Sequence, residues 1–190
     1  MLTFDPVAHR YTFDGKPVPS VTTVLKPLYD FGAIDQAVLA AKAALGTAVH
    51  VATELDDADD LDEGSVHELV RPYLEAWRLF RRETGATVVT SEQRVYHRVH
   101  RYAGTLDRVL SINGVMHLTD IKTSVEIHAG VGPQTAGYLA ALGDKNITQR
   151  AVVQLKPDGT FRFNPLNDPN DMAVFMSLLT VHRFKERHAI

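Results

Sequence analysis

Three apolar segments in the middle of the chain, at 87–96, 102–111 and 115–123, read as β-strands, and Asn113-Gly114 between the last two is a hairpin turn signal. Earlier, 9–18 alternates around Asp14-Gly15, which predicts another hairpin. Ser20 then suits the N-cap of a short helix that Pro27 interrupts. Segment 30–55 is alanine-rich with apolar positions at helical spacing and reads as one or two helices. In 65–85, Ser65 and Glu68 form a capping-box pair ahead of a stripe of Val66, Leu69, Val70, Tyr73, Leu74, Trp77 and Phe80. Gly85 suits the end of this helix, and Pro72 either bends it or marks a later start. A helix is predicted over 133–142, two strands over 150–164 around Asp158-Gly159, and a last helix from Asp168-Pro169. Hairpins followed by a helix and further strands predict a mixed β-sheet flanked by helices, in the α/β (α+β) class.

Composition changes this picture little. With 190 residues, 45% hydrophobic and 23% charged, the chain fits one ordinary domain with a real core. No run of eighteen apolar residues is present, so no membrane span is expected. "MLTFDPVAHR" lacks the pattern of a secretion signal, and the absence of cysteine excludes disulfides, zinc-thiolate sites and thiol nucleophiles. A cytoplasmic location is expected. The net charge of −3 conceals an uneven distribution. "ELDDADDLDE" (54–63) is strongly acidic and reads as a solvated loop or helix end, while "RVYHRVHR" (94–101) carries no acid. Outside the acidic run the chain is net positive, which leaves room for a locally basic surface.

The charges inside the strands carry the chemistry. Asp120 and Lys122 share one strand face, about 7 Å apart along the strand, with Ile121 pointing into the core. The turn at Asn113-Gly114 pairs Asp107 near Asp120, so two carboxylates converge. Their repulsion raises a pKa unless a cation intervenes, and a hard divalent ion is suited to that place. Lys122, protonated, cannot ligate a metal but can hold a phosphate or orient and acidify a water. Two helices add to the set. Gly46, His50 and Glu54 line one helix face, where the glycine permits close approach of another backbone and His50 offers an imidazole nitrogen; Gln134 and Tyr138 share another. Each piece also has an ordinary reading: a surface ion pair for Asp120 and Lys122, a core histidine for His50, core packing for Tyr138, an exposed strand charge for Glu92.

In combination the chain resembles the PD-(D/E)XK nuclease superfamily, in its RecB-like branch of phage-type exonucleases and CRISPR adaptation nucleases. The resemblance rests on Gly46 and His50, "GTLD" ending at Asp107, "DIK" (120–122) followed by Thr123, and Gln134 with Tyr138, in the family's order, over roughly 9–142. It implies a restriction-endonuclease-like core within a single nuclease domain spanning 1–190. Residues 1–30 would form the N-terminal hairpin and short helix, 31–145 the catalytic core, and 146–190 the C-terminal strands and helix. It further implies a Mg²⁺- or Mn²⁺-dependent deoxyribonuclease, most simply an exonuclease of recombination, repair or phage replication in a bacterial or phage-infected cell. His50, Asp107, Asp120 and the Ile121 carbonyl would hold the metal, and Lys122 would activate water or stabilise the transition state. Gln134 and Tyr138 would position the strand, with Glu92 a further acid. Arg94, Arg98 and Arg101, with His97, His100 and Thr123, are the candidates for phosphate contacts; the basic stretch also reads as a charged edge that discourages strand aggregation. The partners implied are DNA ends, single- or double-stranded, and a phage recombinase or single-strand-binding protein. A structure-specific endonuclease and a catalytically inactive DNA- or partner-binding protein are the alternatives. No segment marks a subunit interface.

Overall fold

A computed structural model of the chain describes residues 1–29, 32 and 35–190. The N-terminal hairpin forms as its turn predicts. Asp14 and Gly15 both take positive φ, 49° and 74°, which suits a tight turn between β2 (Arg10–Phe13) and β3 (Lys16–Val18). A third strand, β1 (Leu2–Asp5), pairs antiparallel with β2; its four residues are too short to declare themselves by alternation. Ser20 Oγ accepts the Thr23 N–H at 2.9 Å and caps α1 (Val21–Leu25), which passes into a 3₁₀ turn containing Pro27. The Pro19 carbonyl accepts the Ala103 N–H at 3.0 Å, tying this region to the main sheet.

The alanine-rich segment forms one helix, α2 (Gln36–Asp57), capped by Asp35, whose Oδ1 accepts the N–H groups of Ala37 and Val38. The expectation began at 30; residues 30, 31, 33 and 34 lie outside the described residues. By length and composition alone α2 is long and apolar enough to cross a membrane. Its C-terminal half, however, carries His50, Glu54, Asp56 and Asp57 and buries Val49, Ala52 and Thr53 in the domain.

Helix α3 (Arg71–Thr84) starts later than its capping-box pattern predicts. Ser65 instead belongs to a 3₁₀ turn, where its hydroxyl donates to the Asp62 carbonyl at 2.7 Å. Pro72, which needs no N–H partner in a first helical turn, fixes the later start, and Leu69 is left 63% exposed outside the stripe. Gly85, at φ 66°, ends the helix.

The main sheet has the order β4 (Thr87–His97), β5 (Tyr102–Ile112), β6 (Val115–Lys122), β7 (Ile147–Leu155), β8 (Phe161–Pro165). All neighbours are antiparallel except β6 and β7, which run parallel through the crossover helix α4 (Val131–Leu142). The last helix, α5 (Asp171–His188), starts at Asp171 rather than Asp168; Asp168 Oδ1 accepts the Asn170 N–H at 2.8 Å and closes a turn ahead of it. The fold is therefore a five-stranded mixed sheet with helices on both faces, in the α+β class. Val24, Tyr102, Leu106, Leu118 and Phe175 pack on the side of α1, α4 and α5. Val49, Trp77, Phe80, Leu110, Ile121 and Val153 pack on the side of α2 and α3.

One irregularity positions everything that follows. Leu106 and Leu110 lie an even number of residues apart yet join opposite cores, so β5 breaks its alternation between them. The β5–β6 ladder runs from Ile112 opposite Val115 to Arg108 opposite Thr119 and stops there, although β6 continues to Lys122. Beyond that point Asp107 Oδ2 accepts the Ile121 N–H at 2.8 Å, so a side-chain carboxylate stands in for a backbone carbonyl.

Candidate functional site

At this opening three side chains from three elements meet. Asp107 comes from the break in β5. Glu92 comes from β4, where its backbone is left-handed at φ 46°, a strained state for a non-glycine residue inside a strand. His50 comes from the packed half of α2. The imidazole Nδ1 lies 3.6 Å from Glu92 Oε1 and 3.8 Å from Asp107 Oδ2. Nε2 is 3.1 Å from the Ile121 carbonyl; since a carbonyl only accepts, Nε2 carries the proton of that bond and Nδ1 is turned to the acids. The ligating atoms of His50, Glu92 and Asp107 all fall within 4.8 Å of one another.

Asp120 and Lys122 form the adjoining part of the site. Asp120 is buried; its Oδ1 accepts from Gln134 Nε2 at 3.1 Å, and its Oδ2 lies 2.6 Å from the Lys122 ammonium. His50, Glu92, Asp107, Lys122, Gln134 and Tyr138 thus line one cleft, in an arrangement the spacing did not specify. Glu92 stands with His50 and Asp107, Asp120 is held by Lys122 and Gln134, and the Ile121 carbonyl is taken up by the histidine.

The electrostatics follow from burial set against charge. For His50, burial disfavours the cation, but Asp107 and Glu92 outweigh it and raise the pKa to about 9. Burial lifts Asp120 to about 6 against the opposing pull of Lys122. Burial also works against charge on Lys122, yet Asp120 and Asp107 hold its pKa above the ordinary lysine value. The lysine is an ammonium at neutral pH. Tyr138, pushed far up by burial and by the two aspartates, stays a neutral phenol beside Gln134.

Beneath the acids lies a residue the sequence reading passed over. Arg108 is fully buried. Its Nε donates to Asp57 Oδ2 at 2.7 Å, its Nη1 to Glu92 Oε1 at 3.2 Å and to the Asp107 carbonyl at 2.8 Å, and its Nη2 to Thr53 Oγ1 at 3.2 Å. Thr53 Oγ1 in turn donates to the His50 carbonyl at 3.0 Å. One guanidinium therefore braces all three members of the cluster. Asp57 also accepts from Trp77 Nε1 at 2.9 Å and Arg81 Nη1 at 3.0 Å, and Asp56 accepts from Arg78 Nε at 2.8 Å. Part of the acidic run read as solvated is thus interior structure. The available signal was a lone arginine among the apolar residues of "LDRVL".

A cleft of about 960 Å³ opens over the cluster, lined among others by Tyr11, Thr47, Arg94, Gly104, Gln134 and Tyr138. Tyr11 enters it from the small sheet and shares a 2.7 Å hydrogen bond with Thr105. The guanidinium carbon of Arg94 sits 5.5 Å from the Phe4 ring centre, beside the cleft. Arg98 and Arg101 do not line this cleft; they line a separate groove around the β4–β5 turn. Thr123 is not part of the lining either; its hydroxyl faces Gly46, where an added Cβ would sit 3.8 Å away. That is ordinary contact, so Gly46 is not needed for a close approach. Gly104 is: a Cβ there would lie 2.4 Å from Tyr138 Cε1. Gly104→Ala is expected to displace the tyrosine and cost about 1–3 kcal/mol in urea unfolding, and an unchanged midpoint would contradict this packing.

No family model and no curated protein matches the chain. Among solved structures, one titled "Crystal structure of SSO0001" aligns with a TM-score of 0.35 and 17% identity, covering 70% of this chain and 69% of that one. A likeness at this level carries no argument about function.

Proposed function

We propose that this chain is a metal-dependent deoxyribonuclease of the PD-(D/E)XK type, acting as an exonuclease on DNA ends. The observation that carries the reading is the meeting of His50, Glu92 and Asp107 within 4.8 Å, beside the buried Asp120 and Lys122 pair. Two carboxylates and one imidazole, with no thiolate, suit a hard divalent cation, and the histidine favours Mn²⁺ alongside Mg²⁺. His50 Nδ1, Glu92 and Asp107 would hold the ion, with Asp120 the next available carboxylate. When bound, such an ion neutralises charge on a phosphate and lowers the pKa of an attacking water.

The remaining work falls to the chain's own groups. The Lys122 ammonium, fixed by Asp120, faces the cleft and can hold a phosphate oxygen as negative charge builds on it. Gln134, anchored on Asp120, and the neutral Tyr138 offer hydrogen bonds that position the strand. His50 Nε2, donating to the Ile121 carbonyl, keeps its ring orientation fixed.

The test is degradation of end-labelled linear DNA with Mn²⁺. Wild type is expected to be active, and Asp107→Asn to lose at least about a thousandfold in rate while keeping its circular dichroism spectrum. Activity that survives exhaustive chelation, or an equally active variant, would reject the reading. Rapid nicking of covalently closed circles would move the assignment from exonuclease to endonuclease.

A further inference from the structure

A second groove, of about 690 Å³, lies between the β2–β3 hairpin, the β4–β5 turn and α5, and it has no part in the catalytic cluster. Its lining is basic and aromatic: Lys16, Arg98, Arg101 and Arg183 around a wall made by Phe13 and Tyr96. Those two rings stack 3.9 Å apart between centres, at 8° between planes. Lys16, Arg98 and Arg101 are exposed, and among the described residues none of them has a carboxylate within ion-pair distance. The buried and half-buried arginines contrast with this, since Arg78, Arg81, Arg108 and Arg150 are each paired with acids. Arg183 donates to the His100 carbonyl, which holds it against the turn. Among the described residues the one acid lining the groove, Asp14, is engaged by the N-terminal amino group.

Groove and cleft are joined along two strands. On β2, Tyr11 lines the cleft, and Phe13, two residues on, lines the groove. On β4, Glu92 and Arg94 line the cleft and Tyr96, the next alternate position, lines the groove; Arg98, in the turn just beyond the strand, lines the groove as well. From Glu92 along β4 to His97 and on to Arg98 in the turn, this track reaches up to about 20 Å at the rise of a β-strand. It is long enough for about six nucleotides at the single-strand spacing of stacked DNA.

We propose that the groove binds the single-stranded continuation of the DNA whose end occupies the cleft, a reading that rests on the nuclease assignment for the cleft's occupant. Charge complementarity identifies the ligand as a polyanion. The aromatic wall beside the cations selects a nucleic acid, since every base has a π-face while a polyacidic peptide has none. The groove serves affinity and length dependence, not chemistry.

The experiment measures binding without divalent ions, so that nothing is cut. Fluorescein-labelled oligothymidylates of about four and about twelve nucleotides, lengths set by the six-nucleotide track, are titrated with the full chain and with Arg98→Gln/Arg101→Gln. The double variant is expected to bind the long oligomer about tenfold more weakly. Its log Kd against log salt slope should fall by about 1.4, reflecting two lost phosphate contacts on a single strand. Binding of the short oligomer and the melting temperature should not change. Undiminished binding of the long oligomer overturns the inference, and does so without touching the nuclease reading if the variant still cuts DNA with Mn²⁺. Competition by poly-glutamate equal to that of the oligomer overturns it in favour of an acidic protein partner. A wild-type chain that neither binds the oligomers nor cuts DNA sinks both readings together.

Discussion

Arg108→Met is expected to destabilise the fold by about 3 kcal/mol and to lower Tm by about 6–12 °C. The guanidinium is fully buried and donates to Asp57, Glu92, Thr53 and the Asp107 carbonyl. Removing it strips a buried carboxylate of a short charge-assisted bond. Asp57 would keep Trp77 and Arg81, which holds the loss to the lower end of the range for a broken buried pair. Thermal unfolding by circular dichroism reads the effect directly. Arg108→Lys is the informative companion, because one ammonium cannot span four acceptors on two faces, and most of the loss should persist. A methionine variant that melts with wild type would show that the guanidinium is not the brace described above.

The second large effect concerns Lys122. Lys122→Met is expected to lower kcat/KM on DNA by about a thousandfold, the scale for removing one fixed charge aimed at a developing oxyanion. Its ammonium also opposes the rise in the pKa of Asp120, which burial already carries to about 6. Without that charge the carboxyl moves further up, and its ionised form appears only at higher pH. The residual activity of the variant should therefore have its acidic limb displaced to higher pH relative to wild type. A uniform loss with an unmoved limb would show that the lysine acts on substrate alone. A variant as active as wild type would remove Lys122 from the site.

Much of the fold was legible because its signals are local. Asp14-Gly15 and Asn113-Gly114 formed the turns they predict, the three central strands fell within a residue of their apolar runs, and Ser20 capped its helix, whereas β7 begins three residues before its expected start and β1 was not foreseen. The misplaced starts of α3 and α5 have different causes: Pro72 sets the start of α3 while the Ser65 hydroxyl donates back to Asp62 in a separate turn, and Asp168 accepts the Asn170 N–H as a cap would but closes a turn ahead of α5. At the site, residue types and spacing brought out His50, Asp107, Asp120, Lys122 and Gln134. They did not show how these group, because that depends on the break in β5 and the left-handed backbone at Glu92. Arg108, Asp57 and Thr53 were invisible for a different reason. A buried ion pair between elements has no sequence period, and Asp57 was masked by the solvated acids around it. Arg98 and Arg101 were singled out by charge, yet the turn of the hairpin carries them to a different groove from Arg94.

The break in β5 also bears on the order in which the molecule assembles. Glu92, Asp107 and Asp120 ride on successive strands of one meander, whose short sequence separations favour early closure. His50 and the α2 partners of Arg108 arrive from a helix far upstream. On this topology the meander would bring Glu92 to Arg108 and Asp120 to Lys122 within its own strands, and the seating of α2 on the sheet would add the imidazole that completes the pocket.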